Sequence, residues 1–453
     1  MIKNFFSKLF SSKSTSRRTL DPTQNALIIP RAQHNVSRKN ISHNAIRILH
    51  KLNDAGFTAY LVGGSVRDLL LDIRPKDFDI ATNATPEEVR RLFRNSRLIG
   101  RRFVIVHIHF GDQIIEVSTF RGPAPKAKRN HHKVAATGMI LSDNVYGTLQ
   151  EDAWRRDFTV NALYYDVKTF SIIDFTGGVN DLKNKTLRMI GTPAERYRED
   201  PVRMLRAIRF AAKLSFTLHV DTQEPIQAMA ARLQDVPGSR LFEEFLKLFF
   251  TGNAVATYQL LKEYDILPYL FPEAAQVNAK TDCEFIHQGL RSTDQRIAEH
   301  KPVSPAFLCA VLLWPTYHNM IQSGLAQGLP LFTISQSAMQ ILFSQKDKVM
   351  ALPRRVTEMV GDIFELQWHF EKRRKHQILS IFSNHLFRAA YDFLLLRAKF
   401  TPALNATLHW WTDFQESSPE RQHQLIDALV ATPRKKRRKR RKSSKKPVSV
   451  NPS

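Results

Sequence analysis

Residues 60–80 (YLVGGSVRDLLLDIRPKDFDI) constrain this chain more than any other stretch. The apolar run Tyr60-Leu61-Val62 reads as a strand ending on Gly63-Gly64, where the backbone can turn tightly and approach a phosphate without Cβ interference. A short helical segment, Val66 to Leu71, follows and carries Arg67. The chain then becomes extended, with Asp77 and Asp79 at i and i+2, a spacing that puts both carboxylates on one face of a strand. Two acids on one face beside such a turn suit a pair of divalent cations and the polyphosphate they hold. An Asp-x-Asp pair alone also fits a solvated edge strand. The order glycine turn, arginine, paired acids is the specific signal.

Local patterns on either side predict a small mixed α/β head followed by an all-helical body, an α+β chain ending in a disordered basic tail. Residues 11–40, rich in Ser, Lys, Arg and Asn, read as a linker. Residues 41–57 carry a helical period (Ile46, Ile48, Leu49, Leu52) that stops at Gly56. Thr85-Pro86-Glu87-Glu88 is a helix start, with Thr85 as N-cap and Glu88 closing a capping box. Phe103–Phe110 and Gln113–Phe120 alternate about Gly111-Asp112 and predict a hairpin. Short strands are expected at 163–167 and 170–175, and helices from about 190 to 430. The expected division is 1–40, 41–190, 191–275, 276–430 and 431–453.

The charge points to a polyanionic partner. The 453 residues hold 67 Lys and Arg against 42 Asp and Glu, a net charge of +25. The run 434–446 supplies 11 of those cations, yet without it the chain still carries 56 against 42, or +14. Arg434, Lys435, Lys436, Arg437, Arg438, Lys439, Arg440, Arg441 and Lys442 are its core and are expected to bind RNA phosphates without reading sequence. Two cysteines, Cys283 and Cys309, exclude a disulfide framework and suit a reducing cytosol. No apolar run is long enough to span a membrane. Ile2, Phe5, Phe6, Leu9 and Phe10 form a helical stripe beside Lys3, Lys8 and Lys13. That pattern suits peripheral contact with an anionic inner membrane, docking on a partner, or a plain terminal helix.

GG-x-VRD-x-LL followed by Asp-x-Asp resembles the template-independent nucleotidyltransferases related to DNA polymerase β. The branch is the one holding bacterial poly(A) polymerases and the CCA-adding tRNA nucleotidyltransferases. The resemblance continues at RRDFTVNALYYD (155–166), GGVNDL (177–182) and RYREDPVRMLRAIRFAAKL (196–214), covering roughly residues 40–270 in one collinear order. Ser65 departs from it, where a third glycine or an alanine is usual. The resemblance implies a two-metal transfer in which Asp77 and Asp79 hold two Mg²⁺ ions (Mn²⁺ being the alternative) and ATP is the substrate. It implies that Arg156 and Asp157 contact the ribose and triphosphate, Asp157 also counting as an active-site acid. The alternative for Asp157 is a helix cap. It implies that Asp200 and Arg203 read the edge of the incoming base, while Asp200-Pro201 is also ordinary helix-start grammar.

Three further expectations come from the residues themselves. Gly63, Gly64 and Arg67 would face the phosphates. Arg203, Arg206 and Arg209 fall within one third of a helix circumference, opposite Met204, Leu205, Ile208, Ala211 and Ala212. They would cradle a triphosphate or RNA backbone, or form a solvated face salt-bridged to Glu195 or Glu199. Glu116, in IIEVSTF, is either a third metal-site acid or a charge on the strand's wet face. Arg240 to Lys247 carries charges without an assigned role, and Trp410-Trp411 at helical spacing reads as core. The expected function is polyadenylation of RNA 3′ ends in the cytoplasm. A CCA-adding enzyme and a catalytically silent RNA-binding protein are the alternatives, the last disfavoured by the intact Asp77 and Asp79.

Overall fold

A computed structural model describes residues 25–100, 104–122, 132–134, 140–143, 145–344 and 350–429. The N-terminal stripe and the basic run 434–446 lie outside the described residues. The chain divides into two compact units, Met1–Thr357 and Glu358–Ser453, so the expected body 276–430 is split at 357/358.

The first unit is built on an eight-stranded sheet. Its strands are β1 (Leu27–Ile29), β2 (Ala59–Val62), β3 (Asp79–Thr82), β4 (Ser96–Ile99), β5 (Ile105–Phe110), β6 (Gln113–Thr119), β9 (Leu163–Tyr165) and β10 (Ile172–Asp174). A separate antiparallel ribbon pairs β7 (His132–Val134) with β8 (Ile140–Asp143). The order in the large sheet is β1-β10-β9-β2-β3-β6-β5-β4. All neighbours are antiparallel except β3 and β6, which run parallel. Helix α1 (His43–Asp54) buries Ala45, Ile48, Leu49 and Leu52, close to the face its period predicts. The predicted hairpin is β5–β6, turning on Gly111 at φ 58°. Helix α2 (Gly64–Leu70) follows β2, and α3 (Pro86–Leu92) begins at the expected Thr85–Glu88 capping box.

The structure corrects two expectations. Residues 27–40 are not wholly linker: β1 adds to the sheet edge by pairing with β10, and 3₁₀ turns follow at 31–33 and 38–40. Three residues carry too little alternation to announce a strand whose partner is so distant in sequence. Asp77 is also not on a strand with Asp79, because β3 starts at Asp79 and buried Phe78 separates the two acids.

After the sheet come α4 (Leu149–Arg155), α5 (Gly178–Lys183), α6 (Pro193–Glu199), α7 (Val202–Leu214), α8 (Val220–Met229) and α9 (Gly238–Phe249). Further helices run to Phe343. Helix α7 buries Met204, Leu205, Ile208, Ala211 and Ala212, as its angular pattern requires. The GGVNDL segment is structural. Asp174 accepts the backbone N–H groups of Thr176, Gly177, Gly178 and Val179, satisfying the start of α5. A Cβ on Gly178 would stand 2.2 Å from the Thr159 carbonyl oxygen, so only glycine allows this approach.

The second unit packs its helices around Phe370, Phe387, Tyr391, Trp411 and Phe414. Trp411 is fully buried and its Nε1 donates to the Phe370 carbonyl at 3.1 Å, so this indole is core. Among the described residues no helix is long and apolar enough to cross a membrane.

Candidate active site

The parallel β3–β6 seam places Asp79 in register with Glu116, and the antiparallel β2 strand places Val62 on its other side. Registered residues on adjacent strands sit about 5 Å apart and share a face. All three line a cavity of about 280 Å³. Burial, then repulsion from Glu116, pushes the Asp79 carboxyl up to about 6, with Asp77 adding to the effect and Arg156 opposing it. Glu116 is half exposed and lies 3.3 Å from His107 Nε2 on β5. It lines the cavity and also reaches solvent as a strand charge. Among the described residues no three His, Cys, Asp or Glu side chains are gathered closely enough to hold a metal ion as placed. The donor set nevertheless fits a cation: a buried carboxylate raised by a neighbouring acid, as Asp79 is by Glu116, is relieved by a positive ion beside it.

The cavity lining is also arginine-rich, with Arg121, Arg155, Arg156 and Arg203. Burial, then repulsion from Arg121 and Arg196, lowers Arg155 to about 10. Burial, then Arg203, does the same for Arg196. Guanidiniums crowded together under burial mark a place where a polyanion is electrostatically wanted. Arg156 is ordered from three sides. Its Nε and Nη2 donate to Asp152 Oδ2 at 3.1 and 2.9 Å, its Nε also reaches Tyr164 Oη at 3.1 Å, and the guanidinium lies over the Tyr164 ring.

The glycine turn is shaped for this meeting. Gly63 has φ 76°, a left-handed backbone that a side chain resists, and its N–H donates to the Leu163 carbonyl. A Cβ there would lie 3.6 Å from Arg156 Nη1 and 4.0 Å from Asp79 Oδ2. Gly64 opens α2, and Ser65 Oγ donates to the Val62 carbonyl, so the departure at that position closes the turn. Arg67 is drawn inward instead of toward the cavity. It is 2 % exposed, donates to Asp68 through Nε and Nη2, and donates to Asn161 Oδ1 at 2.5 Å.

The three arginines of α7 separate in role. Arg203 reaches the cavity and donates to Glu199 and to the Arg196 carbonyl. Arg206 is bound to Asp157, and Arg209 lies 3.8 Å from Glu244 of α9. Arg67, Arg206 and Arg209 all stack near the Phe210 ring, so this face packs against the head. Both oxygens of Asp157 are occupied: Arg206 holds one, the Phe158 N–H and Asn161 the other. Burial would raise its carboxyl, but the Arg206 charge holds it at about 2. Asp200 lines the cavity, with Oδ1 accepting the Val202 N–H and Oδ2 accepting Arg240 Nη2 at 2.8 Å.

Sequence reasoning passed over Asp152, Tyr164, Arg155, Arg196 and Arg240. Asp152 was within reach, since it stands four residues before Arg156 on a helical segment. Arg196 donates to the carbonyls of both Arg155 and Arg156, contacts that nothing in its local pattern announces.

A family model described as the poly A polymerase head domain matches residues 59–188. One for a probable RNA and SrmB-binding site of polymerase A matches 215–277, and one for the polymerase A arginine-rich C-terminus matches 327–445. The chain is 44% identical over 438 residues to poly(A) polymerase I of Salmonella typhi, covering 94% of each chain. Likeness to the CCA-adding enzyme of Lactobacillus helveticus is 39% over 216 residues, or 48% of this chain and 52% of that one. The structure of the Bacillus stearothermophilus CCA-adding enzyme in complex with CTP superposes with a TM-score of 0.53 at 26% identity, covering 84% of this chain and 80% of that one.

Proposed function

This chain belongs to the poly(A) polymerase family, and from that premise we infer how its cavity carries out the family's reaction. The protein is a nucleotidyltransferase that polyadenylates RNA. The observation that carries the site reading is the cavity lined together by Asp79, Glu116, Arg155, Arg156 and Arg203. Acids beside cations in one cavity suit an attacking hydroxyl and a triphosphate held together.

Asp77 and Asp79, with Glu116 in register, are the residues that would hold divalent metal. When bound, such ions lower the pKa of an RNA 3′-hydroxyl and neutralise phosphate oxygens. The protein's own contribution is positioning. Gly63 keeps the turn open, Arg156 and Arg203 bind and orient the triphosphate, and Asp200 stands where the base enters. The hydroxyl attacks the α-phosphorus, the bond to the bridging oxygen breaks, and pyrophosphate leaves. No side-chain nucleophile is required, since positioning and charge neutralisation supply most of the acceleration in such transfers. The basic run 434–446 would grip RNA phosphates nonspecifically, which suits an enzyme handling diverse 3′ ends.

The purified protein with Mg²⁺ is given an unstructured RNA, and separately a tRNA lacking its 3′ terminus, each with ATP alone, CTP alone or both together. Long A-only extension of the unstructured RNA is expected. Addition of two Cs and one A confined to tRNA would replace this reading with the CCA-adding one.

A further inference from the structure

We propose that Asp152 and Tyr164 are positioning residues for adenylyl transfer, fixing the Arg156 guanidinium so that its third nitrogen, Nη1, meets the triphosphate at the Gly63 turn. The assignment rests on the adenylyltransferase reading above.

Asp152 is a buried hub. Its Oδ2 accepts Arg156 Nε and Nη2 and the Tyr164 hydroxyl, the last at 2.6 Å, while its Oδ1 accepts the Arg121 backbone N–H at 3.1 Å. It thereby ties α4 to the end of β6, and two arginines of the cavity wall to each other. Tyr164 anchors the hub to the sheet. Its residue pairs with Val62 on β2, and its ring packs in the cluster of Val62, Ala81, Phe120 and Ala153. A phenylalanine would fill that cluster equally well, so packing does not call for the hydroxyl. The hydroxyl spends itself on Asp152 and Arg156.

The result is a guanidinium with Nε and Nη2 tied down and Nη1 directed to the turn, 3.6 Å from where a Gly63 Cβ would stand, a point 4.0 Å from Asp79 Oδ2. An arginine held so needs little reordering when substrate arrives, and small misplacements of such a group cost rate steeply. A free arginine could neutralise a triphosphate from many poses. This one is confined to one.

The test is a double-mutant cycle on the full-length protein with Mg²⁺, unstructured RNA and ATP, comparing wild type, Tyr164→Phe, Arg156→Ala and the pair. Tyr164→Phe is expected to lower kcat/KM for ATP about tenfold, with RNA affinity unchanged within about twofold. In the Arg156→Ala background it should have no further effect, because the group it positions is gone. Asp152→Asn, which keeps the shape and removes the charge, should show a larger loss that is likewise absent there. Equal losses in both backgrounds would reveal a purely structural role and overturn the assignment, as would a Tyr164→Phe enzyme of wild-type kcat/KM. A wild-type protein that adds no adenylate would overturn the adenylyltransferase reading, and this assignment with it.

Discussion

Arg206 donates twice to one oxygen of Asp157, at 2.8 and 2.5 Å, and so binds α7 to the turn that follows α4. With both oxygens of Asp157 committed, the pair acts as a fastening between the head and helix α7. The residue that lines the cavity is its neighbour, Arg156.

Breaking that fastening should be costly. Arg206→Met leaves a buried carboxylate without its cation, and a loss of about 3–5 kcal/mol in urea unfolding is expected. Asp157 sits at about 2 in the fold, below its ordinary 3.8. Its stabilisation is therefore complete above about pH 4 and is lost as pH falls toward 2. Wild type and Asp157→Asn should differ in melting temperature at pH 7 and converge near pH 2.

Asp79 has the opposite sign. Its carboxyl is raised to about 6, so the ionised form opposes folding above pH 6 and the penalty fades below pH 4. In EDTA, Asp79→Asn should be more stable than wild type at pH 7.5, by roughly 3 kcal/mol, and nearly equal to it at pH 4. The same variant should lose about a thousandfold or more of its Mg²⁺-dependent incorporation while still binding RNA. A variant that is less stable than wild type at pH 7.5 would refute the account of a crowded acid site.

The two critical glycines should fail differently. Gly63→Ala meets only ordinary contacts and suffers mainly from its φ of 76°, a cost of about 1–2 kcal/mol. Gly178→Ala forces a methyl to within 2.2 Å of a backbone carbonyl, and a cost of about 3 kcal/mol is expected. Denaturation should therefore rank Gly178→Ala as the worse folder. Kinetics should show Gly63→Ala impaired on ATP even where folded.

Arg240 holds Asp200 Oδ2. Removing it as Arg240→Ala should let the Asp200 carboxylate turn, raising KM for ATP and lowering the preference for ATP over CTP, each by about tenfold. Unchanged nucleotide preference would separate Asp200 from base reading.

Deleting residues 434–446 removes 11 cations. RNA affinity should weaken, and its salt dependence should flatten by about 0.7 in log–log slope for each phosphate the run had neutralised. Activity at saturating RNA should persist, and an unaltered slope would show that the run does not touch phosphates.

What could be read from the sequence was what is encoded locally. The Thr85 capping box, the hairpin at Gly111 and the buried stripe of α7 depend on residues within a few positions of one another, and each is found in the structure. The meaning of charge was harder to read. Arg67 looks like a phosphate ligand until Asp68 and Asn161 are seen to absorb it, and Asn161 is far away in sequence. Arg203, Arg206 and Arg209 share one face as expected, but distant acids decide which of them reaches the cavity. The three-residue β1 was missed because its pairing with β10 is long-range.

Arg196 reaches from α6 to donate to the carbonyls of Arg155 and Arg156, at 2.5 and 2.7 Å. Those carbonyls end α4, where the helix dipole is negative and a cation is favoured. Helix α6 thus finishes a helix that the head begins, and the two are ordered together. Calorimetry should accordingly record a single cooperative transition for this unit, with the cavity's arginines staying ordered until the whole of it melts.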